Sequence, residues 1–176
     1  MKKCVYFLLK IWYTVSSKKF GGFMMSLKVA IASDHGGFDL KQKIVEHLKV
    51  LGVEYEDFGS HTPDAVDYPD YAFTVGTKVV DKVFDRGILI CGTGVGISIA
   101  ANKVKGVRCA LVHDVFTAKA TREHNDSNIL AMGGRVVGDE LAKMIVSTWL
   151  GTDFMGAHHA GRIEKITSFE ANNEKM

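Results

Sequence analysis

The sequence has few cysteines, and their spacing indicates no cross-linked or zinc-stabilised fold. The three cysteines, Cys4, Cys91 and Cys109, are far apart and odd in number. No C-x-x-C pair occurs, so neither a disulfide framework nor a structural zinc site is indicated. Because free thiols are typical of a reducing compartment, we expect a cytoplasmic protein.

A hydrophobic run long enough to cross a membrane is also missing. The most apolar stretch near the N-terminus, residues 4–15, is short and interrupted by a lysine, whereas a spanning helix needs about 20 apolar residues. The lysine-rich, acid-free segment 1–26 ends without a convincing signal-peptide cleavage site. It is either a targeting segment or a product of start-site choice, since Met24 and Met25 lie just before the first strand. We favour an N-terminal extension outside the fold, and expect residues 27–176 to form a single domain with no membrane partner.

A concentrated excess of basic residues is absent from the body of the chain. Five of the 22 basic side chains fall within the first 27 residues, which leaves 17 basic and 20 acidic side chains for the remainder. Nucleic-acid binding requires a basic face. We therefore expect no nucleic-acid partner. The overall content, 47% hydrophobic and 24% charged, is ordinary for a globular domain.

From residue 27 onward, short apolar runs alternate with helical periodicity. The pattern predicts strands at 27–33, 53–58, 87–91, 107–112 and 127–132. It predicts helices at 40–51, 68–81, 97–103, 114–123, 139–150 and 157–170. Five β-α units with short connections predict an α/β fold with a five-stranded parallel sheet between two helical layers. In such sheets the ligand binds outside the carboxyl ends of the strands. The segments that follow the strands there are Asp34-His35, Cys91 to Gly96, His113-Asp114 and Gly133 to Arg135.

Cys91 is the strongest candidate for chemistry among these residues. It ends an uncharged strand and opens a turn with three glycines in five residues, Gly92, Gly94 and Gly96. Glycines there let backbone N–H groups point inward. Together with the positive end of the next helix, those donors favour a phosphate, an oxyanion or a thiolate. The other interpretation is a small buried apolar residue, which is what most free cysteines are. We favour function for Cys91 and a core position for Cys109.

The glycine turn has a second interpretation, as a dinucleotide site. The spacing is G-x-G-x-G rather than G-x-G-x-x-G, and it follows an interior strand rather than the first. Asp114 nevertheless lies near the expected acidic position about 20 residues on. Nucleotide binding therefore remains open as the less favoured alternative. No histidine pair has metal-ligand spacing, so we expect no metal ion.

Other polar residues have weaker individual signals. His124 and Asn125 follow the fourth helix, where a histidine is usually solvated. Asp34 and His35 lie at a strand end, where the acid can orient the ring or simply form a turn. Arg135 and Arg162 have the fork geometry that suits a phosphate, although arginines are usually solvated surface residues.

Several motifs in one order resemble the type B ribose-5-phosphate isomerase family. They are Asp34-His35-Gly36-Gly37-Phe38, Asp67-Tyr68-Pro69, the run 87–103, His124-Asn125-Asp126-Ser127-Asn128 and Gly134-Arg135-Val136-Val137-Gly138. The superfamily includes galactose-6-phosphate and allose-6-phosphate isomerases. The resemblance covers roughly residues 27–170 and implies a Rossmann-like fold. It also implies a homodimer or homotetramer with shared active sites and no cofactor.

The resemblance also implies roles for individual residues. Cys91 is the expected base that moves a proton between C1 and C2 of ribose 5-phosphate. Thr93 and the amides of Gly92, Gly94, Val95 and Gly96 are expected to stabilise the enediolate. His124 is expected to protonate the ring oxygen. The sugar hydroxyls and ring opening are assigned to Asp34, His35, Tyr68 and Asn125, and the phosphate to Arg135 and Arg162.

One position departs from the family pattern. His158 replaces an arginine that the resemblance leads us to expect at the phosphate. Because an imidazole is only partly charged near neutral pH, we expect phosphosugar affinity to weaken between about pH 6 and 8. Ribose 5-phosphate is the favoured substrate. A six-carbon phosphosugar and a binding module without catalysis are the alternatives.

Overall fold

The computed structural model describes residues 27–173, in which five strands alternate with six α-helices. The strands are β1 (Lys28–Ser33), β2 (Glu54–Asp57), β3 (Arg86–Cys91), β4 (Cys109–Leu111) and β5 (Ile129–Gly133). The helices are α1 (Phe38–Leu51), α2 (Tyr68–Val80), α3 (Val95–Ala101), α4 (Val115–Asn125), α5 (Asp139–Leu150) and α6 (His158–Asn173). A short 3-10 helix, His35–Gly37, precedes α1. The predicted N-terminal extension, residues 1–26, lies outside the described residues.

All five strands run parallel, in the order β2-β1-β3-β5-β4. The predicted five-stranded parallel sheet is therefore confirmed. The register places Ser33 beside Ile90 and Cys91 beside Gly133. The carboxyl ends of β1, β3 and β5 consequently meet at one edge, and β3, the central strand, carries Cys91 to it.

The two faces of the sheet bury two separate apolar clusters. One cluster contains Ile88 and Ile90 of β3 and the apolar stripes of α1 and α5. The other contains Leu89 and Cys91 with residues of α2 and α3. Because successive side chains of a strand point to opposite faces, this alternation directs the Cys91 thiol toward the side that carries α3.

A fully buried lysine fixes the edge strand β2 and the loop that follows it. The Lys41 ammonium donates to both carboxylate oxygens of Asp57 at 2.6 Å and to the Ser60 carbonyl at 2.7 Å. Ser33 and the 59–60 segment exchange two backbone hydrogen bonds of 2.6 Å. These contacts anchor the loop between β2 and α2 to the end of β1, beside the strand ends where the ligand is expected.

The element bounds differ from the predictions mainly at their ends. Helix α3 begins at Val95, two residues before the predicted start, because Gly94 reverses the chain directly before it. Strand β4 is only three residues long, compared with the six predicted. Helix α6 is exposed over most of its length in the single chain. Within residues 27–173, every helix is too short or too polar to cross a bilayer.

Candidate active site

The Cys91 thiol lies at the mouth of the glycine turn. The Gly94 N–H donates to its sulfur at 3.1 Å, and the side chain is 4% exposed. The sulfur therefore faces a backbone N–H of the glycine turn. The residue is therefore part of the apolar cluster and also has its sulfur held by a backbone donor.

Gly94 is the residue that allows this turn to form. Its φ of +80° is a left-handed conformation that side chains disfavour. A methyl group there would lie 2.5 Å from Cδ1 of Leu111 and 2.7 Å from the carbonyl carbon of Met132. Both the backbone conformation and the available space thus require glycine.

Two of the turn amides have partners within the turn itself. One is the Gly94 amide on sulfur, and the other is the Val95 amide, which donates to Thr93 Oγ1 at 3.3 Å. The neighbouring loop is joined to the turn, because Gly134 N–H donates to the Cys91 carbonyl at 2.8 Å and Arg135 N–H to the Gly92 carbonyl at 3.0 Å. Two backbone hydrogen bonds therefore hold the turn beside the loop that follows β5.

A cavity of about 230 Å³ opens beside the sulfur. Its lining contains eight of the predicted site residues: Asp34, His35, Tyr68, Cys91, Gly92, Thr93, Gly96 and Arg135. We call it the Cys91 cavity. Cys91 thus borders a pocket as well as the apolar cluster.

Asp34 and His35 have defined partners at the end of β1. The buried Asp34 carboxylate accepts from the Gly37 N–H at 3.0 Å, which caps the 3-10 helix. The exposed His35 ring accepts at Nδ1 from the Val66 N–H at 3.3 Å. His35 therefore carries its proton on Nε2 when neutral, and can donate from that atom.

Tyr68 and Arg135 each pack closely against a glycine of the turn. A methyl group at Gly96 would lie 2.7 Å from the Tyr68 ring, so the absence of a side chain lets that ring approach α3. A methyl group at Gly92 would lie 3.4 Å from the guanidinium carbon of Arg135. The cavity thus combines a thiol, a phenol and a guanidinium, the last of which suits an anionic group such as phosphate.

The remaining predicted site residues do not lie in the Cys91 cavity. His124, Asn125 and Arg162 line a separate groove of about 410 Å³ between β4, α4 and α6, which we call the Arg162 groove. His158 lines neither, and its ring packs on His159 with centroids 3.9 Å apart. On one chain, therefore, the expected proton donor His124 and the expected base Cys91 face different spaces.

Sequence comparison identifies the relatives of this chain. The profile of the family described as Ribose/Galactose Isomerase matches residues 29–166. Ribose-5-phosphate isomerase B of Escherichia coli K12 is 52% identical over 143 residues, which cover 81% of this chain and 96% of the relative. The chain belongs to the ribose/galactose isomerase family.

Solved structures agree with this family assignment. Clostridium thermocellum ribose-5-phosphate isomerase B has a TM-score of 0.82 and 52% identity, over 84% of this chain and 99% of the other. The Mycoplasma genitalium enzyme with bound ribulose 5-phosphate has a TM-score of 0.79 and 47% identity, over 83% and 97% of the two chains. The Rossmann-like fold expected from the sequence resemblance is therefore confirmed.

Cys109 differs from Cys91 within this ribose/galactose isomerase fold. It is partly buried on the edge strand β4 and lines the Arg162 groove, so its position is less interior than the predicted core position. Burial raises the pKa of its thiol to about 12, which disfavours reactivity. Within residues 27–173 no group of three or more histidine, cysteine and acidic side chains is arranged to hold a metal ion.

Two features near His124 were not found by sequence reasoning. Asp126, at the C-terminal end of α4, is held by Arg108 and Arg122 through 2.8 Å hydrogen bonds. The His159 ring stacks on that of His124 with centroids 4.4 Å apart. The adjacent pair His158-His159 was the only available signal for the stack, and the sequence alone does not reveal which ring lies against α4.

Proposed function

We propose that this member of the ribose/galactose isomerase family interconverts ribose 5-phosphate and ribulose 5-phosphate. The observation that carries the proposal is the Cys91 sulfur, which accepts the Gly94 amide at 3.1 Å beside an open polar cavity. A cysteine base at such a position can abstract a proton from the carbon next to a carbonyl. The ribulose 5-phosphate bound to the Mycoplasma genitalium relative supports this choice of ligand.

In the proposed reaction, the furanose opens before the proton moves. His124 donates a proton to the ring oxygen as the C1–O4 bond breaks, and the C1 hydroxyl gives its proton to a solvent water, which leaves an aldehyde. The Cys91 thiolate then removes the C2 proton, and the electron pair forms the C1–C2 double bond of an enediolate with negative charge on O1. Return of that proton to C1, with transfer of the O2 proton to O1, gives the ketose.

The other proposed roles follow from the positions of the side chains. Thr93 and the amides of residues 92–96 stabilise the enediolate oxygen, although the amides of Gly94 and Val95 already have partners in the turn. Asp34, His35, Tyr68 and Asn125 contact the sugar hydroxyls. Arg135, Arg162 and His158 supply positive charge for the phosphate.

Two copies of the chain are needed to bring these groups to one sugar. Because Cys91 and His124 line different cavities of one chain, we propose that the Arg162 groove of one copy completes the Cys91 cavity of another. Exposed apolar side chains on α3, α4 and α6 support a second copy as the partner. They include Val95 (47%), Ile99 (56%), Phe116 (80%) and Ile166 (52%). Because Cys91 and Cys109 are free thiols, we propose that the enzyme works in the cytoplasm.

Substitution of single cysteines tests the assignment of Cys91 as the catalytic base. Turnover of ribose 5-phosphate, measured with a chelator present, is expected to fall about 10²- to 10⁴-fold in Cys91→Ser, because proton transfer is lost. Binding of ribulose 5-phosphate, measured by calorimetry, is expected to persist. Cys109→Ser makes the same change at a thiol of the Arg162 groove that no step of the mechanism uses, and we expect a much smaller loss of turnover than in Cys91→Ser. A Cys91→Ser protein with unchanged turnover would contradict the mechanism, and binding without any wild-type turnover would indicate a module that only binds sugars.

A six-carbon substrate is the second candidate, since the family description names galactose beside ribose. Parallel assays with ribose 5-phosphate, galactose 6-phosphate and allose 6-phosphate distinguish the two. We expect the largest kcat/KM with the five-carbon sugar. A larger value with either hexose phosphate would reverse the preference.

A further inference from the structure

Three histidine rings form a stack where α6 begins beside the end of α4. His159 is the middle ring. Its centroid lies 4.4 Å from that of His124 with 13° between the planes, and 3.9 Å from that of His158 with 39° between the planes. One of the two outer rings is thus the proposed acid for ring opening.

The middle ring is buried and is not oriented by hydrogen bonds at Nδ1. His159 is 6% exposed, and within residues 27–173 its Nδ1 has no hydrogen-bond partner. Burial lowers the pKa of His159, as do the nearby charges of His158, His124 and Arg162. A neutral His159 ring places no additional positive charge beside the two imidazoles on which it stacks.

His124 has a fixed backbone but an otherwise unrestrained side chain. Asp126 accepts hydrogen bonds from Arg108 and Arg122 just after α4, which holds the end of that helix in place. The His124 imidazole is exposed, and in the described part of the chain its ring contact with His159 is the one interaction that orients it. A proton donor must be held at a fixed angle and distance, because small displacements reduce the rate steeply.

We propose that His159 is a positioning residue for ring opening, which acts by stacking on His124 and fixing the plane of its imidazole. The proposal rests on the proposed function, in which His124 protonates the ring oxygen. His159 itself need not touch the sugar. Its ring face is what matters, and its nitrogen atoms are not required.

The two substrates of the reaction separate ring opening from proton transfer. Ribose 5-phosphate is a furanose and must be opened. Ribulose 5-phosphate has no free C5 hydroxyl with which to close a furanose, so it is acyclic. Exchange of its C1 proton with D₂O, followed by NMR, therefore requires Cys91 but no ring opening. The ratio of ribose 5-phosphate turnover to this exchange rate reports on the His124 step alone.

The test compares His159→Ala, which removes the stack, with His159→Phe, which keeps a stacking face without nitrogen atoms. We expect His159→Ala to reduce turnover of ribose 5-phosphate by about 10- to 100-fold, with exchange and ribulose 5-phosphate affinity within about twofold of the wild type. His159→Phe is expected to restore most of the lost turnover. Exchange in each variant also verifies that the protein is folded and its Cys91 site intact.

Three results would overturn the proposal. A His159→Ala protein with unchanged turnover would show that stacking is dispensable. Equal losses of turnover, exchange and affinity would indicate that His159 only holds α6 and Arg162 in place. A His159→Phe protein as slow as His159→Ala would show that a ring nitrogen is needed.

A further variant separates this proposal from the proposed function. His124→Ala is expected to lose turnover of ribose 5-phosphate while retaining exchange. If it loses both, His124 is not a ring-opening acid, and the role of His159 is refuted although the isomerase activity stands. If the wild type shows neither turnover nor exchange with pentose phosphates, the proposed function itself is refuted.

Discussion

Gly94 is the residue on which the geometry of the sulfur depends most directly. Its left-handed φ and the nearby Leu111 and Met132 atoms both oppose a side chain. We expect Gly94→Ala to lower the free energy of unfolding by about 2 kcal/mol or more, measured by urea denaturation, because strain and overpacking add. Turnover should fall as well, because the amide that holds Cys91 moves.

Gly106 is a matched control for this change. Its φ is +82°, but the nearest atom to a new methyl group, Cγ1 of Val80, would lie 3.4 Å away. Gly106→Ala should therefore show only the cost of the left-handed backbone, about 1 kcal/mol, with normal turnover. Equal destabilisation in the two variants would show that the contacts with Leu111 and Met132 are unimportant.

The proposed contact of His158 with the phosphate depends on a single positive charge. It is exposed at the start of α6, where the family resemblance leads us to expect an arginine. A guanidinium carries a permanent charge and can donate two parallel hydrogen bonds to a phosphate, which an imidazole cannot. KM for ribose 5-phosphate should therefore be lower in His158→Arg than in the wild type. Equal KM values in the two proteins would contradict the prediction.

The contact between helices α1 and α5 has its own pH dependence. His47 of α1 lies 2.7 Å from the Ser147 hydroxyl of α5. Burial and the Lys143 ammonium lower the pKa of His47, so the folded protein binds this proton less readily than the unfolded chain. The resulting stabilisation is complete above about pH 6.5 and is lost as the pH falls through the lower folded pKa.

Unfolding by urea at about pH 7.5 and pH 5.5 measures this effect. We expect the wild type to lose more free energy of unfolding on acidification than His47→Gln, whose amide does not titrate. The histidines of the α6 stack are present in both proteins and cancel in the comparison. Identical losses would mean that the α1–α5 contact tolerates a charged imidazole.

Strands and helices were largely predictable because their signals are local. The uncharged run that ends at Cys91 and the glycines after it indicated both the central strand and the turn. The burial of Lys41 was not predictable, since lysine on a helix is usually exposed and its partner Asp57 lies on a different element. The sequence also contains no measure of the space between loops. The family resemblance assigned His124 and Arg162 to a site shared between chains, and nothing in the local sequence indicated that one chain places them in a different cavity from Cys91.

At the level of the whole molecule, the separation of the two cavities predicts complementation between inactive chains. Cys91→Ala removes the proposed base from the shared site, and His124→Ala removes the proposed acid for ring opening. A mixed dimer of the two then contains one intact site and one doubly damaged site. Unfolding and refolding an equimolar mixture should restore about a quarter of the wild-type activity toward ribose 5-phosphate, because half of the dimers are mixed.

Each variant refolded alone is the control for this mixture, and should remain inactive. A mixture no more active than its components would place both residues of each site on one chain. Recovery well above a quarter would indicate preferential pairing of unlike chains.

The open edge strand β2 affects whether the protein aggregates at high concentration. An open strand presents unpaired N–H and C=O groups to which another chain can add. Strand β2 has the sequence Glu-Tyr-Glu-Asp, with both glutamates exposed. It is held to the domain by the Lys41–Asp57 ion pair and by Tyr55, which packs against the core. Like charges on two such edges repel each other. This repulsion opposes pairing of β2 strands from two molecules. We expect the protein to aggregate more readily in strong salt, which screens those carboxylates, or in acid, which neutralises them.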